Sequence, residues 1–214
     1  MLSSFPQLAQ SEFHEACNQL LRVYQERGIV GQADWTSVEG VLQHEIRYLK
    51  ITTELSTSLN ASASVADDGG AEEIEEDDEE VLSAPSKSHA SVDYDILLSP
   101  TYRVPVLYFY VSDALHRYPT TMTTLYDFLI PSQYKAQTEN VGVIGGVTIT
   151  DHPVTNRPVF FIHPCQTAQV MEASACAGDI TAYEYLLIWI GALGKCVGLN
   201  VPLAFAKEHQ RHMQ

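Results

Sequence analysis

The sequence predicts an α+β fold: an antiparallel sheet flanked by an N-terminal helix and C-terminal helices. Three observations predict it. A segment of helical period opens the chain at Ser11 to Arg27. Strand-like runs joined by short turns occupy the middle, at Tyr94 to Leu98, Tyr102 to Val111 and Pro158 onward. A strongly apolar, well-capped helical segment follows from Thr181. Helix, then strands, then helices is the order of segregated layers rather than of alternating βαβ units. With 214 residues, 45% of them hydrophobic, residues 1–214 are expected to form one domain around one core.

Each element has its own signal. In the first helix Phe13, Cys17, Leu20, Leu21 and Tyr24 share one face, with Ser11 as the expected N-cap and Gly28 as the residue past its end. Trp35 to Leu55 is ambiguous in its first half; Ile46, Tyr48, Leu49, Ile51, Thr52 and Thr53 favour strand in its second. Residues 56–91 are rich in Ser, Ala, Asp and Glu. Such a stretch buries too little apolar area to offset an ordering cost of about 1–2 kcal/mol per residue, so it is expected to be a disordered acidic insertion within the domain. Tyr94 to Leu98 and Tyr102 to Val111 are strands around a Ser99-Pro100-Thr101 turn, with Pro105 marking an edge or a bulge. Leu125 to Leu129 makes a turn or two of helix. Val141 to Gly146 reads as a flexible strand or loop. Thr148 to Pro153 leads through a turn into the strand that runs up to Cys165. Thr167 starts a short helix through Ala175. Thr181 and Glu184 form a T-x-x-E capping box, with Tyr183, Leu186, Leu187, Ile190 and Leu193 as the buried face that follows. Pro202 to His209 is a last helical segment.

Charge is local. The net charge is −15, but Asp67 to Glu80 holds ten acidic residues and no basic one, leaving 17 acidic against 12 basic elsewhere. Without a basic cluster, nucleic acid is not an expected partner. No charged n-region and apolar h-region open the chain. The apolar stretch Tyr185 to Gly194 falls far short of the roughly 20 residues that span a bilayer, so a cytoplasmic location without a transmembrane segment is expected. Four cysteines are too sparse for a disulfide framework. Cys17 reads as core, and Cys176 and Cys196 as packing. The chain has no Cys-x-x-Cys pair and no His-rich tract, so neither zinc nor any other cofactor is expected.

Cys165 is the residue on which function turns. In Pro158-Val159-Phe160-Phe161-Ile162-His163-Pro164-Cys165 a buried strand is stopped by a proline that has no N–H for the ladder. A thiol just beyond sits at a surface or cleft. By spacing alone it reads equally as a structural cysteine or a nucleophile. His163 precedes a proline and so is extended, which puts it on the same side as Cys165. It either polarises the thiol or holds the loop by a hydrogen bond.

Val159 to Thr167 resembles the His-Pro-Cys motif of the autophagy E2-like enzymes. Tyr102-Arg103-Val104-Pro105-Val106-Leu107-Tyr108-Phe109 and Val197-Gly198-Leu199-Asn200-Val201-Pro202-Leu203 with Ala206 resemble two further signatures of one branch, the autophagy-related protein 10 family. The resemblance covers roughly Tyr94 to Lys207. It implies an E2-like core in which Cys165 accepts a ubiquitin-like modifier (autophagy-related protein 12) as a thioester from an E1-like enzyme (autophagy-related protein 7). A lysine of autophagy-related protein 5 then takes the modifier, in autophagosome formation. It also implies catalytic roles for Tyr102 and His163, the former otherwise reading as a strand aromatic. Conventional ubiquitin E2s carry a His-Pro-Asn motif upstream, with the asparagine as oxyanion donor. Here Cys165 takes the third place, leaving Tyr102, His163 and backbone N–H groups as donors. Three other readings stand beside this one: the sister branch that conjugates a modifier to phosphatidylethanolamine, a thiol hydrolase pairing Cys165 with His116 or His152, and a non-catalytic interaction module on the same fold. Val104 to Leu107 and Val197 to Leu203 speak against the sister branch, and an intact Cys165 against the module.

Overall fold

Alternate residues of four strands share one apolar face, and that face organises the molecule. In the computed structural model, which describes residues 2–26, 35–55, 89–139, 146–174 and 180–206, helix α1 (Gln10–Glu26) precedes strands β1 (Trp35–Gln43), β2 (Ile46–Glu54), β3 (Ser91–Leu98) and β4 (Pro105–Ser112). Helix α2 (Met122–Thr124) runs into a π turn at Leu125–Leu129, and α3 (Ser132–Glu139) follows. Strands β5 (Val147–Asp151) and β6 (Pro158–Ile162) come next, then a 3-10 turn at Pro164–Gln166. Helices α4 (Thr167–Ser174), α5 (Ala182–Leu193) and α6 (Leu203–Ala206) complete the order. Among the described residues the strands form one six-stranded sheet ordered β1-β2-β3-β4-β6-β5, every neighbouring pair antiparallel.

The period of two along a strand puts Leu49 and Ile51, Tyr94 and Ile96, Leu107 and Phe109, and Phe160 and Ile162 into one core with Phe13 and Leu20 of α1 and Tyr185, Trp189 and Ile190 of α5. Each fully buried side chain of this size contributes about 1.5–3 kcal/mol. The opposite sheet face holds a smaller cluster of Tyr48, Leu97, Val106 and Val154, with Val41, Tyr108 and Phe161 packed against it. The C-terminal segment ties to the sheet by two buried donors. Tyr94 Oη donates to the Val197 carbonyl at 2.8 Å, and Trp35 Nε1 to the Asn200 carbonyl at 2.7 Å. Between them Gly198 turns the chain at φ 85°, where a Cβ would meet Tyr94 Oη at 3.4 Å. The Val197 to Leu203 signature therefore has a structural task here.

Several expectations change. The first half of Trp35 to Leu55 is also a strand. β1 pairs with β2 through a two-residue turn at His44 and Glu45, both at positive φ (49° and 65°), with none of the Asn or Gly that would signal such a turn. Ser11 lies inside α1, which begins at Gln10. The Ala9 N–H is instead taken by the Glu12 carboxylate at 2.7 Å. Pro105 opens β4, a central strand between β3 and β6 and not an edge; at the first position of a strand its missing N–H is tolerated. Thr148 to Asp151 is strand, paired along β6, and α3 had no apolar period to reveal it. The expected insertion falls outside the described residues except for its last three, and the last of these, Ser91, already pairs with Glu54 and Ser112. Gly28, residues 141–145, Ala175, Cys176 and residues 207–209 lie outside the described residues. The capping box stands as expected: Thr181 Oγ1 accepts from the Glu184 N–H at 3.2 Å, and Glu184 Oε2 accepts from the Thr181 N–H at 2.8 Å.

Candidate active site

β6 is laced on both sides, to β4 and β5, and therefore delivers its C-terminal end rigidly. His163 leaves the strand extended (φ −68°, ψ 132°), and Pro164 occupies the first position of the 3-10 turn, where an N–H is not needed. His163 is the N-cap of that turn: its Nδ1 accepts the backbone N–H of Cys165 at 3.2 Å. Of the two roles open to His163, the structure displays the loop-holding one. A ring nitrogen that accepts a hydrogen bond carries no proton, so the neutral imidazole has its proton on Nε2. Cys165 is exposed and unpaired, whereas Cys17 and Cys196 are buried. Burial pushes the Cys17 thiol up to about 12 and that of Cys196 up to about 11, which makes both poor nucleophiles.

Tyr102 reaches the same place from another element. It lies in the β3–β4 turn and not in a strand. That turn is closed by hydrogen bonds from Arg103 N–H to the Ser99 carbonyl (2.8 Å), Ser99 N–H to the Val104 carbonyl (2.9 Å) and Tyr102 N–H to Ser99 Oγ (3.1 Å). Arg103 holds the left-handed conformation at φ 55°, and its carbonyl accepts the N–H of Leu8 at 2.7 Å, which pins the turn to the N-terminal segment. The Tyr102 ring meets the edge of His163 with centroids 5.5 Å apart at 81°. It is 42% exposed, and among the described residues its hydroxyl makes no hydrogen bond. Phe161 also meets the His163 ring, at 5.9 Å and 85°. Tyr102, His163 and Cys165, dispersed over 64 positions of sequence, thus converge on one exposed corner of the sheet. That corner offers an exposed cysteine and, packed on His163, a tyrosine whose hydroxyl has no partner among the described residues.

The histidines considered as partners for a hydrolase have other surroundings. His152 has no solvent exposure. Its Nδ1 accepts from the N–H groups of Val154 and Thr155 (3.2 Å each), and its Nε2 stands 3.4 Å from Asp95 Oδ2 without a well-formed hydrogen bond. Burial, then the positive charges of Lys50 and Arg157, bring the imidazole down to about 4. Burial lifts Asp95 to about 6, opposed by Lys50, whose Nζ lies 3.7 Å from Oδ1. Lys50 also donates to Tyr110 Oη at 2.8 Å. Sequence reasoning passed over this buried cluster; its signal was a lone aspartate amid the apolar residues of Tyr94 to Leu98. His116 lies in an exposed turn at φ 50°. Among the described residues no group of three or more His, Cys, Asp or Glu side chains could hold a metal ion, and no helix is long and apolar enough to cross a membrane.

The family model for the autophagocytosis associated protein, active-site domain, matches residues 12–204. The ubiquitin-like-conjugating enzyme ATG10 of Gibberella zeae is 30% identical over 237 residues, which cover 97% of this chain and 99% of that protein. The chain belongs to the ATG10 family. It is an E2-like ubiquitin-like-conjugating enzyme of autophagy. The human ATG10 enzyme is 32% identical over 63% of this chain and 61% of its own length. The Arabidopsis thaliana ATG10 enzyme is 30% identical over 77% and 74%. A crystal structure of the autophagic E2 Atg10 aligns at a TM-score of 0.46 and 13% identity, over 91% of this chain and 99% of that one.

Proposed function

We propose that Cys165 accepts the ubiquitin-like modifier autophagy-related protein 12 from the E1-like enzyme autophagy-related protein 7 and passes it to a lysine of autophagy-related protein 5. The work is done in the cytoplasm, by a single E2-like domain spanning residues 1–214, with residues 56–91 as its insertion. In the first step the Cys165 thiolate attacks the carbonyl of the E1-bound thioester. A new C–S bond forms and the E1 thiol departs. In the second, the lysine amine attacks that carbonyl, the C–S bond breaks, the Cys165 thiol leaves, and an amide remains after the amine loses its proton. A thioester is already activated, so the enzyme must chiefly position the amine and stabilise the oxyanion.

The observation that carries this reading is the exposed thiol of Cys165 with its own N–H held by His163 Nδ1 at 3.2 Å and Tyr102 alongside. That N–H is engaged, so it is a poor oxyanion donor. Tyr102 Oη, with no partner among the described residues, takes that role in our reading, and His163 fixes the loop. The test is ATP-dependent charging with the purified E1-like enzyme and modifier. Wild type forms an adduct that thiol reductants cleave. Cys165→Ser traps an oxyester that resists them. A wild-type protein that never forms the reductant-sensitive adduct overturns the proposal.

A further inference from the structure

Among the described residues one hydrogen bond holds the His163 ring, and a ring pinned at one atom still pivots. Next to it runs a row of aromatic rings on the sheet face away from the helices. Phe161 and His163 are two residues apart along an extended chain and share that face. Phe161 stands opposite Tyr108 in the β4–β6 register, and their rings stack at 4.9 Å and 27°. Tyr108 meets the edge of His152 at 5.2 Å and 70°, and His152 meets Tyr48 at 5.9 Å. The inner end of the row is immobile, because His152 is fully buried and its Nδ1 is taken by two backbone N–H groups. The outer end is the edge contact of Phe161 with His163, and beyond it Tyr102.

We propose that Phe161 is a positioning residue for the transfer reaction: its ring, stacked on Tyr108, fixes the His163 imidazole and through it the backbone of Cys165. Covering this half-buried patch would need only apolar area, which a leucine supplies. A flat ring set edge-on to an imidazole restricts how that imidazole turns, and a leucine does not. Misplacement of a reacting group by a fraction of an ångström is enough to slow a positioned reaction by an order of magnitude.

The inference rests on Cys165 carrying the modifier as a thioester, and the experiment separates the two claims. Phe161→Leu, Phe161→Tyr, His163→Ala and the Phe161→Leu/His163→Ala double variant of the full chain are charged by the E1-like enzyme, and discharge onto the target lysine is followed in single turnover. Phe161→Leu is expected to reach the wild-type final extent of charging, whatever its charging rate. Its discharge should be about tenfold slower at saturating target, with the target's KM unchanged. Phe161→Tyr keeps the ring and should stay within about twofold of wild type. The double variant should be no slower than His163→Ala, because Phe161 acts through that ring. The imidazole resonances of His163 should shift in Phe161→Leu. Wild-type discharge by Phe161→Leu, multiplying effects in the double variant, or unshifted His163 resonances would each overturn the assignment. Tyr108→Leu removes the support on which Phe161 stacks and carries the same expectations should Phe161→Leu fail to fold. A wild type that does not charge instead overturns the thioester reading, and the His163 resonances then still decide the positioning claim.

Discussion

Tyr102 separates chemistry from packing at the level of one atom. Its ring lies against His163, while its hydroxyl has no partner among the described residues. Tyr102→Phe should therefore keep the fold and the charging of Cys165 but slow transfer to the target by about 10²-fold, the usual cost of losing one oxyanion donor. Transfer at the wild-type rate by Tyr102→Phe would remove the hydroxyl from the mechanism, and a lowered Tm would mark a folding defect instead. On the same sheet face, away from the thiol, Asp95 and His152 set a pH signature. Asp95 is raised to about 6 by burial, so its contribution to stability is present in full below its ordinary value near 4 and is lost as pH rises through 6. His152 is lowered to about 4, so its contribution is present above its ordinary value near 6.5 and is lost as pH falls through 4. The two oppose each other between pH 4 and 6. Urea unfolding across this window should be compared between wild type, where these two contributions offset each other, and the single variants. Asp95→Asn should become less stable towards pH 4, and His152→Gln less stable towards pH 6. Identical profiles in all three proteins would show that neither group is perturbed.

The elements at the site differ in how they are held. β6 is fixed by two neighbours, so the 3-10 turn starts from a rigid point. The Tyr102 turn depends on its own hydrogen bonds and on Leu8. The N-terminal segment that carries Leu8 is itself clamped, with Tyr185 Oη donating to the Pro6 carbonyl at 2.7 Å and the Ala9 N–H to Glu12. Helix α5 is thus both core and anchor, and its capping box at Thr181 secures its first turn. Thr181→Ala removes the acceptor for the Glu184 N–H and should lower stability by about 1 kcal/mol, seen as a drop in Tm of about 2–4 °C with charging unchanged. An unchanged Tm would mean that α5 is held by its apolar face alone.

For the molecule as a whole, the residues that flank the stretch 56–88 lie side by side, since the Leu55 N–H donates to the Ala90 carbonyl at 2.9 Å and Glu54 pairs with Ser91. Replacing residues 56–88 by a short Gly/Ser turn should preserve the charging rate and Tm, because loop-closure entropy changes only slowly with length. A collapse of Tm would show that this stretch contributes to the fold. Much of the architecture was legible in the chain because local rules govern it. Helical period and a capping box mark α1 and α5, apolar and aromatic runs mark β3, β4 and β6, and Pro164 marks where β6 stops beside an exposed cysteine. β1, β5 and α3 were not legible. Edge strands and a helix as polar as Ser132–Glu139 carry little apolar period, and the His44-Glu45 turn lacks the Asn or Gly that would signal positive φ. By itself the sequence singled out Cys165 as the candidate nucleophile, His163 two residues before it, and the class of fold, because strand termination and spacing of two act within a few residues. Only the tertiary structure decided that Tyr102 reaches His163 from a turn, that His163 accepts from the Cys165 N–H, and that a row of rings backs it. Those contacts are set by strand register and a left-handed Arg103, and register is a property of paired chains that no single segment encodes.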